Sequence, residues 1–330
     1  MRSSGIGGQA VLEGIMMRNG SRYAVAVRKP NQEIAVDVQE YHGGSENHRW
    51  MNIPFLRGAF RFVDSLVLGI KSLTFSASFY DDEEEEEQKP SFLERHMSQE
   101  QLESLMMTAT VIFSIVLSVA IFMVLPVTVA SFFRRFTESS LLIAALEGLL
   151  RMAIFIAYVG LIALMDDIRR TYMYHGAEHK CINCIEHGLP LTVDNVRASS
   201  KEHKRCGTSF MLFVMVISIF VFMFIRVDNL WLRILSRVLL VPFIAGISYE
   251  FIRLAGNTDN PVINLLSKPG LWMQALTTKE PDDSMIEVAI QAVEAVFDWR
   301  AYEREVFGAE FPEEEKEENA EVPVQEAPAL

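Results

Sequence analysis

Long uncharged stretches dominate the pattern of this chain. Residues 105–133 run for 29 positions without one charged side chain, ample for a membrane-crossing helix. Residues 207–225 form a second uncharged run. Residues 139–165 are apolar except for Glu147 and Arg151, and residues 231–255 except for Arg233, Arg237, Glu250 and Arg253, with Pro242 inside. The four stretches predict four transmembrane helices.

Outside them the period changes. Residues 23–28 (YAVAVR) and 33–38 (EIAVDV) alternate with period two around Lys29-Pro30-Asn31-Gln32, which predicts a β-hairpin. Residues 55–79 switch to helical spacing, with Phe60, Val63, Val67 and Ile70 on an apolar stripe and Arg57, Arg61, Asp64 and Lys71 at polar positions. Such a helix packs on the spans or lies in the membrane interface. Residues 269–278 (PGLWMQALTT) read as a strand or a membrane-skimming segment. Ser284 and Glu287 then form a capping-box pattern for a helix to about Trp299, whose apolar face is Met285, Val288, Ala292, Val296 and Trp299.

The fold class that follows is a mainly α, polytopic membrane protein: about four transmembrane helices, a small N-terminal β-hairpin and cytoplasmic helical flanks. Its parts are an N-terminal region (1–80), an acidic linker (81–104), a four-helix transmembrane domain (105–255) containing a His/Cys linker (166–206), a C-terminal cytoplasmic region (256–306) and a disordered acidic tail (307–330).

Charge sets the expected orientation. The segment before the first span carries 11 Lys and Arg, and residues 166–206 carry seven, which puts both termini and the His/Cys linker on the cytoplasmic side. No basic segment followed by an apolar core opens the chain, so no secretory signal is expected. The net charge of −13 argues against a nucleic-acid partner, and the runs at 81–87 (DDEEEEE) and 313–318 (EEEKEE) read as solvated spacers. The three cysteines, facing the cytoplasm, are expected as free thiols or metal ligands.

The candidate chemistry is concentrated in that linker. His175, His179, Cys181, Cys184, His203 and Cys206 fall within 32 residues. His175-Gly176-Ala177-Glu178-His179 fits H-x-x-E-H, in which two histidines bind a divalent metal, best zinc, and the glutamate is the general base. His203-x-x-Cys206 offers a second ligand pair. Four protein ligands would make a closed, structural site, and three would leave a position for water; the spacing leaves both open, as it does an ordinary polar loop with interfacial histidines. Cys181-x-x-Cys184 lacks the βαβ setting of a redox pair and reads better as small, semi-buried residues. Within the spans, Glu147 and Arg151 are spaced to pair on one helix face, and Glu250 near Arg253 is a further polar membrane site. A structural ion pair and a role in transport or substrate contact are both open.

Six segments together resemble a known family: GGQAVLEGIMMRNG (7–20), EGLLR (147–151), DIRRTYMYHGAEHK (167–180), HKRCGTSF (203–210), GISYEFIRLAG (246–256) and LWMQALTTKEPDD (271–283). The chain resembles the YqhQ-like bacterial membrane proteins, a family of unknown function for which metal-dependent enzymatic activity has been suggested. The resemblance implies the bacterial cytoplasmic membrane and importance for His175, Glu178, His179, His203 and Cys206. Cys181 stands where the family pattern has threonine or another non-cysteine residue, so the C-x-x-C is not part of what is implied.

Two functions are therefore expected. One is a metal-dependent, hydrolase-like activity at the cytoplasmic face, with His175, His179, His203 and Cys206 on the metal and Glu178 as base. The other is a non-enzymatic scaffold or accessory factor in the insertion or assembly of other membrane proteins. Four spans without detectable inverted repeats make a transporter the third choice.

Overall fold

In the computed structural model, which describes residues 3–43, 51, 53–80, 99–225, 227, 229–258 and 260–311, the expected hairpin is half of a larger sheet. The acidic runs at 81–87 and 313–318 lie outside the described residues. Strands β1 (Gly7–Val11), β2 (Gly14–Asn19), β3 (Arg22–Arg28) and β4 (Ile34–Glu40) form an antiparallel meander in the order β1-β2-β3-β4. Gln9 pairs with Met16, Met16 with Val25, and Val25 with Asp37.

Both faces of this sheet are covered. Val11, Met16, Tyr23, Val25 and Val27 pack on helix α1 (Leu56–Ala77) through Leu68. The alternate residues Ile15, Met17, Ala24 and Ala26 pack on helix α5 (Asp166–Glu186) and helix α10 (Asp283–Glu294) through Tyr174, Ala177, Ile182, Ile286 and Val293. A strand buried on both faces has no polar side to alternate with. In β3 the alternation is instead large against small, with Tyr and Val toward α1 and Ala toward α5 and α10. The two-residue link between β1 and β2 puts Glu13 in the left-handed region (φ 48°), and its carboxylate accepts from Arg170 at 2.5 Å and from the Tyr174 hydroxyl at 3.2 Å. The turn is thereby tied to α5.

Among the described residues, four helices are long and apolar enough to cross a membrane: residues Ser104–Arg135, α4 (Ser140–Ile162), α7 (Gly207–Phe224) and α8 (Leu230–Gly256). The first is composite, joining α2 (Gln99–Val119), a π-helical turn (Ala120–Val124) and α3 (Leu125–Phe132). Pro126 has no N–H to give to the Phe122 carbonyl four residues back, and the π-turn falls where that bond is lost.

Helix α1 is the joint between sheet and spans. Arg57 grips both carboxylate oxygens of Glu250 in α8 at 2.6 and 2.5 Å, and Arg61 donates to the Tyr249 hydroxyl at 2.9 Å. The expected neighbour of Glu250, Arg253, stands off at 3.9 Å. Away from the sheet, α1 exposes Val63, Leu66, Ile70 and Leu73, an apolar stripe opposite its protein contacts.

The region between the second and third spans is structured rather than a loop. After residues 163–165 comes α5, buried from Gly176 to Glu186, and then α6 (Val193–Ala198). Residues 199–206 return to the start of α7. Helix α9 (Pro261–Thr277) packs along α7, and α11 (Trp299–Phe307) follows α10. Residues 269–277 are thus helical: Asn260 caps α9 and Pro261 opens it, so the helix is nucleated well before the stretch that suggested a strand. The start of α10 also differs in detail. Its cap is Asp282, which accepts from Met285 N–H at 3.0 Å and from Ser284 Oγ, while Glu287 pairs with Arg28. A carboxylate is a stronger acceptor for the first-turn N–H groups than a hydroxyl.

Candidate metal centre

Helix α5 presents His175 and His179 one turn apart, their rings 4.4 Å apart between centroids. Each ring is aimed by a backbone carbonyl. His175 Nδ1 lies 2.9 Å from Thr277 O, and His179 Nδ1 lies 2.7 Å from Lys201 O. A carbonyl can only accept, so in both rings Nδ1 carries a proton and, in the neutral ring, Nε2 holds the lone pair. Cys206 meets them from the N-cap of α7, where its Sγ is 3.4 Å from His175 Nε2 and accepts from Thr208 N–H at 3.3 Å. The ligand-capable atoms of His175, His179 and Cys206 all lie within 4.8 Å of one another.

The framework around them is made by backbone. Gly176 lets the chain after α9 lie directly on α5, since a Cβ there would stand 2.0 Å from Lys279 O. Lys279 N–H also bonds Tyr172 O, so Thr277 is delivered to His175. Lys180 Nζ donates to the carbonyls of Arg197 and Ser199, and Asn183 to those of Ser200 and Glu202. These bonds lash residues 197–202 to α5 and set Lys201 O against His179.

Glu178 is buried beside this cluster, its Oε1 accepting from Gly8 N–H at 3.1 Å. Gly8 is needed there: a Cβ would stand 3.1 Å from Glu178 Cγ and 2.5 Å from Met16 O. His203 is buried next to His179 (centroids 5.7 Å), but its Nε2 faces Glu186 Oε2 at 3.5 Å. Gln274 holds the His203 backbone from both sides, giving its Nε2–H to the carbonyl and taking the N–H. A cavity of about 100 Å³ lies between His175, Glu178, His179, His203 and Cys206. That is room for an ion and a small number of waters, each of which takes about 30 Å³ in the liquid.

The electrostatics are those of a thiolate site. Burial would raise the Cys206 thiol, but the two imidazoles outweigh it and hold Cys206 well below the usual thiol range. Burial depresses His175, yet the sulfur beside it lifts that imidazole to about 9. Glu178 is pushed up by burial, against the opposing pull of His179 and His175. Glu186 works against its own burial, with His203 and Arg205 drawing it down to about 2.

The remaining sequence-selected residues lie elsewhere. Cys181 and Cys184 are buried in the core between α5 and the sheet side, and burial raises both thiols. Glu147 pairs with Arg151 at 3.0 Å near the opposite end of the bundle, and a third member comes from α8: Arg237 Nε stands 3.1 Å from Glu147 Oε1. Arg151 Nε also donates to the Phe122 carbonyl at 2.9 Å, at the π-turn opened by Pro126. Thr277, Lys201 and Gly8 carry no signal in the sequence because they act through backbone atoms. Glu186 sits within the same stretch as the ligands, and its role depends on a helix long enough to bring it under His203.

Comparison with known proteins agrees with the resemblance carried by the motifs. The chain is 37% identical over 289 residues to "Uncharacterized protein YqhQ" of Bacillus subtilis (strain 168), covering 87% of this chain and 90% of that relative. No solved structure matches. Residues 53–299 match the family described as "Protein of unknown function (DUF1385)", a span that takes in α5, the 199–206 return and α9. On both grounds the chain belongs to this YqhQ-like family, whose function is not established.

Proposed function

We propose that the protein is a metal-dependent hydrolase of the bacterial cytoplasmic membrane, with both termini and the His/Cys centre on the cytoplasmic side. The observation that carries the reading is the pair of imidazoles whose Nδ1–H groups are fixed on the carbonyls of Thr277 and Lys201, in a cluster with Cys206 whose ligand-capable atoms lie within 4.8 Å of one another. Fixing Nδ1 in this way is how proteins orient histidine ligands. Two nitrogens and a thiolate suit zinc, and three protein ligands leave a position for water or substrate. When bound, the metal supplies Lewis acidity to the reaction.

The chain's own residues supply the rest. His175, His179 and Cys206 hold the ion, and His175 gives up its extra proton when they do so. Glu178, kept on the cavity wall by Gly8 N–H, takes the proton from an attacking water. His203 is a support for Glu186 and the return loop rather than a fourth ligand.

Elemental analysis of detergent-purified protein tests this. About one zinc per chain is expected, with loss in His175→Ala/His179→Ala and retention in Glu178→Gln, which should lack turnover. Metal-free native preparations, or unchanged cellular function in Glu178→Gln, would sink it.

The accessory-factor reading draws on a different observation: residues 104–118 of the first span are exposed throughout. Cross-linking from this segment followed by mass spectrometry separates the readings, since a stoichiometric protein partner favours the accessory factor.

A further inference from the structure

The cavity beside Cys206 shares a wall with a much larger space. Ile6, Gly7, Gly8 and Arg205 border both the cavity and a cleft of about 730 Å³ running between the β1–β2 edge and α1. This volume is in the range of sites for small molecules and cofactors, about 300–1,000 Å³. The cleft is cationic: its charged lining is Arg18, Arg61 and Arg205 against Asp64. Each guanidinium is held by a named contact. Arg61 gives Nη1 to Tyr249, Arg205 gives Nη2 to Glu186 and Nη1 to Ser3, and Arg18 gives Nε to the Gly20 carbonyl. A guanidinium has five N–H donors, so Arg61 and Arg205 keep further donors beyond these contacts.

Its position relative to the spans is also set. Tyr249 precedes the end of α8 at Gly256 by seven residues, roughly 10 Å along the helix. Arg61 therefore sits beside the end of the fourth span, on the same side as Cys206, and the outer flank of α1 is the apolar stripe of Val63, Leu66 and Ile70.

We infer that this cleft binds a phosphate-bearing substrate, its oxyanion on Arg18 and Arg61, with Arg205 at the boundary where the rest of the molecule reaches the His/Cys cavity. Phosphate matches this lining because its several acceptor oxygens take paired N–H donors from more than one guanidinium. The group belongs either to a phospholipid headgroup entering from the bilayer edge or to a water-soluble phosphate ester. The inference rests on the reading of the adjoining cavity as a reaction site, but the binding it predicts does not require the metal.

The test is titration of the full chain in detergent with inorganic phosphate and, separately, with short-chain phosphatidate, following thermal unfolding. Saturable stabilisation is expected, with affinity weakened tenfold or more in Arg18→Gln and in Arg61→Gln. Tighter binding of phosphatidate marks the lipid source, and equal binding marks the soluble one. Tyr249→Phe, which removes the hydroxyl that Arg61 donates to and keeps the ring beneath it, should change affinity less than twofold. If it weakens binding as much as Arg61→Gln does, Arg61 is a packing residue and the assignment falls. Absence of saturable binding by either probe in wild type overturns it as well. The same titration on His175→Ala/His179→Ala separates the two ideas: phosphate binding that survives there, in a protein found never to carry metal, removes the hydrolase reading and leaves the cleft.

Discussion

His175 Nε2 stands 3.4 Å from Cys206 Sγ, although 31 positions separate the two residues in the chain. The contact joins the middle of α5 to the N-cap of α7, and it charges both groups. The thiolate is held by the imidazoles and by the N-terminus of α7, where helix dipole and Thr208 N–H both favour an anion.

Cys206→Ser should therefore lower zinc affinity at least tenfold, because an alkoxide is not formed at neutral pH and a hydroxyl is a poor zinc ligand. Cobalt-substituted protein gives the direct reading. Wild type should show a sulfur-to-cobalt charge-transfer band in the near ultraviolet, and Cys206→Ser should not.

Gly176→Ala is predicted to damage the centre without touching a ligand. The added methyl would meet Lys279 O at 2.0 Å, and backbone must move to admit it. A strained insertion of this kind costs about 1–3 kcal/mol. Because the displaced segment follows directly on Thr277 at the end of α9, His175 should lose its aim, so metal content should fall more than the melting temperature alone accounts for. Full zinc occupancy in this variant would contradict the role given to Thr277.

Inside the bundle, Glu147→Ala should leave Arg151 and Arg237 buried at 7% and 2% exposure without their shared carboxylate. Removing one partner of a buried ion pair costs about 3–5 kcal/mol. A sharp loss of detergent-solubilised, monodisperse protein is expected, with partial recovery in Glu147→Ala/Arg237→Leu. Equal stability of wild type and Glu147→Ala would show that the arginines reach water.

Glu303 provides a pH-dependent test away from the membrane and the metal. It is fully buried on α11, neither of its carboxylate oxygens has a hydrogen-bond partner among the described residues, and burial lifts it to about 7 against the pull of Arg300. A carboxylate raised in the folded state favours folding below the unfolded value near 4.5 and loses that contribution as pH rises through about 7. Glu303→Gln should thus be nearly neutral at pH 4.5 and stabilising by about 1–3 kcal/mol at pH 8. A melting-temperature difference that stays constant between those pH values would refute the assignment.

The sequence by itself determined the four apolar helices, the β3–β4 hairpin, the helix built on Met285, Val288 and Ala292 (which ends at Glu294, short of the expected Trp299), and the shortlist of ligand residues. Each is local: a run of uncharged positions, a period of two or 3.6, or a motif five residues long. Strands β1 and β2 escaped because both their faces are covered, which erases the alternation that marks a half-buried strand. The local pattern around Pro269 does not mark the start of α9, which lies at Asn260 and Pro261, about two turns earlier.

What only the tertiary structure decided is which side chains converge. His203 and Cys206 are three residues apart in the chain, yet the Nε2 of the first faces Glu186 while the α7 N-cap places the second against His175. Arg57 rather than Arg253 takes Glu250, and Arg237 joins Glu147 and Arg151, because the partners come from helices that no spacing rule connects. The carbonyls of Thr277 and Lys201 are present in every residue of the chain, and only folding selects the two that face an imidazole.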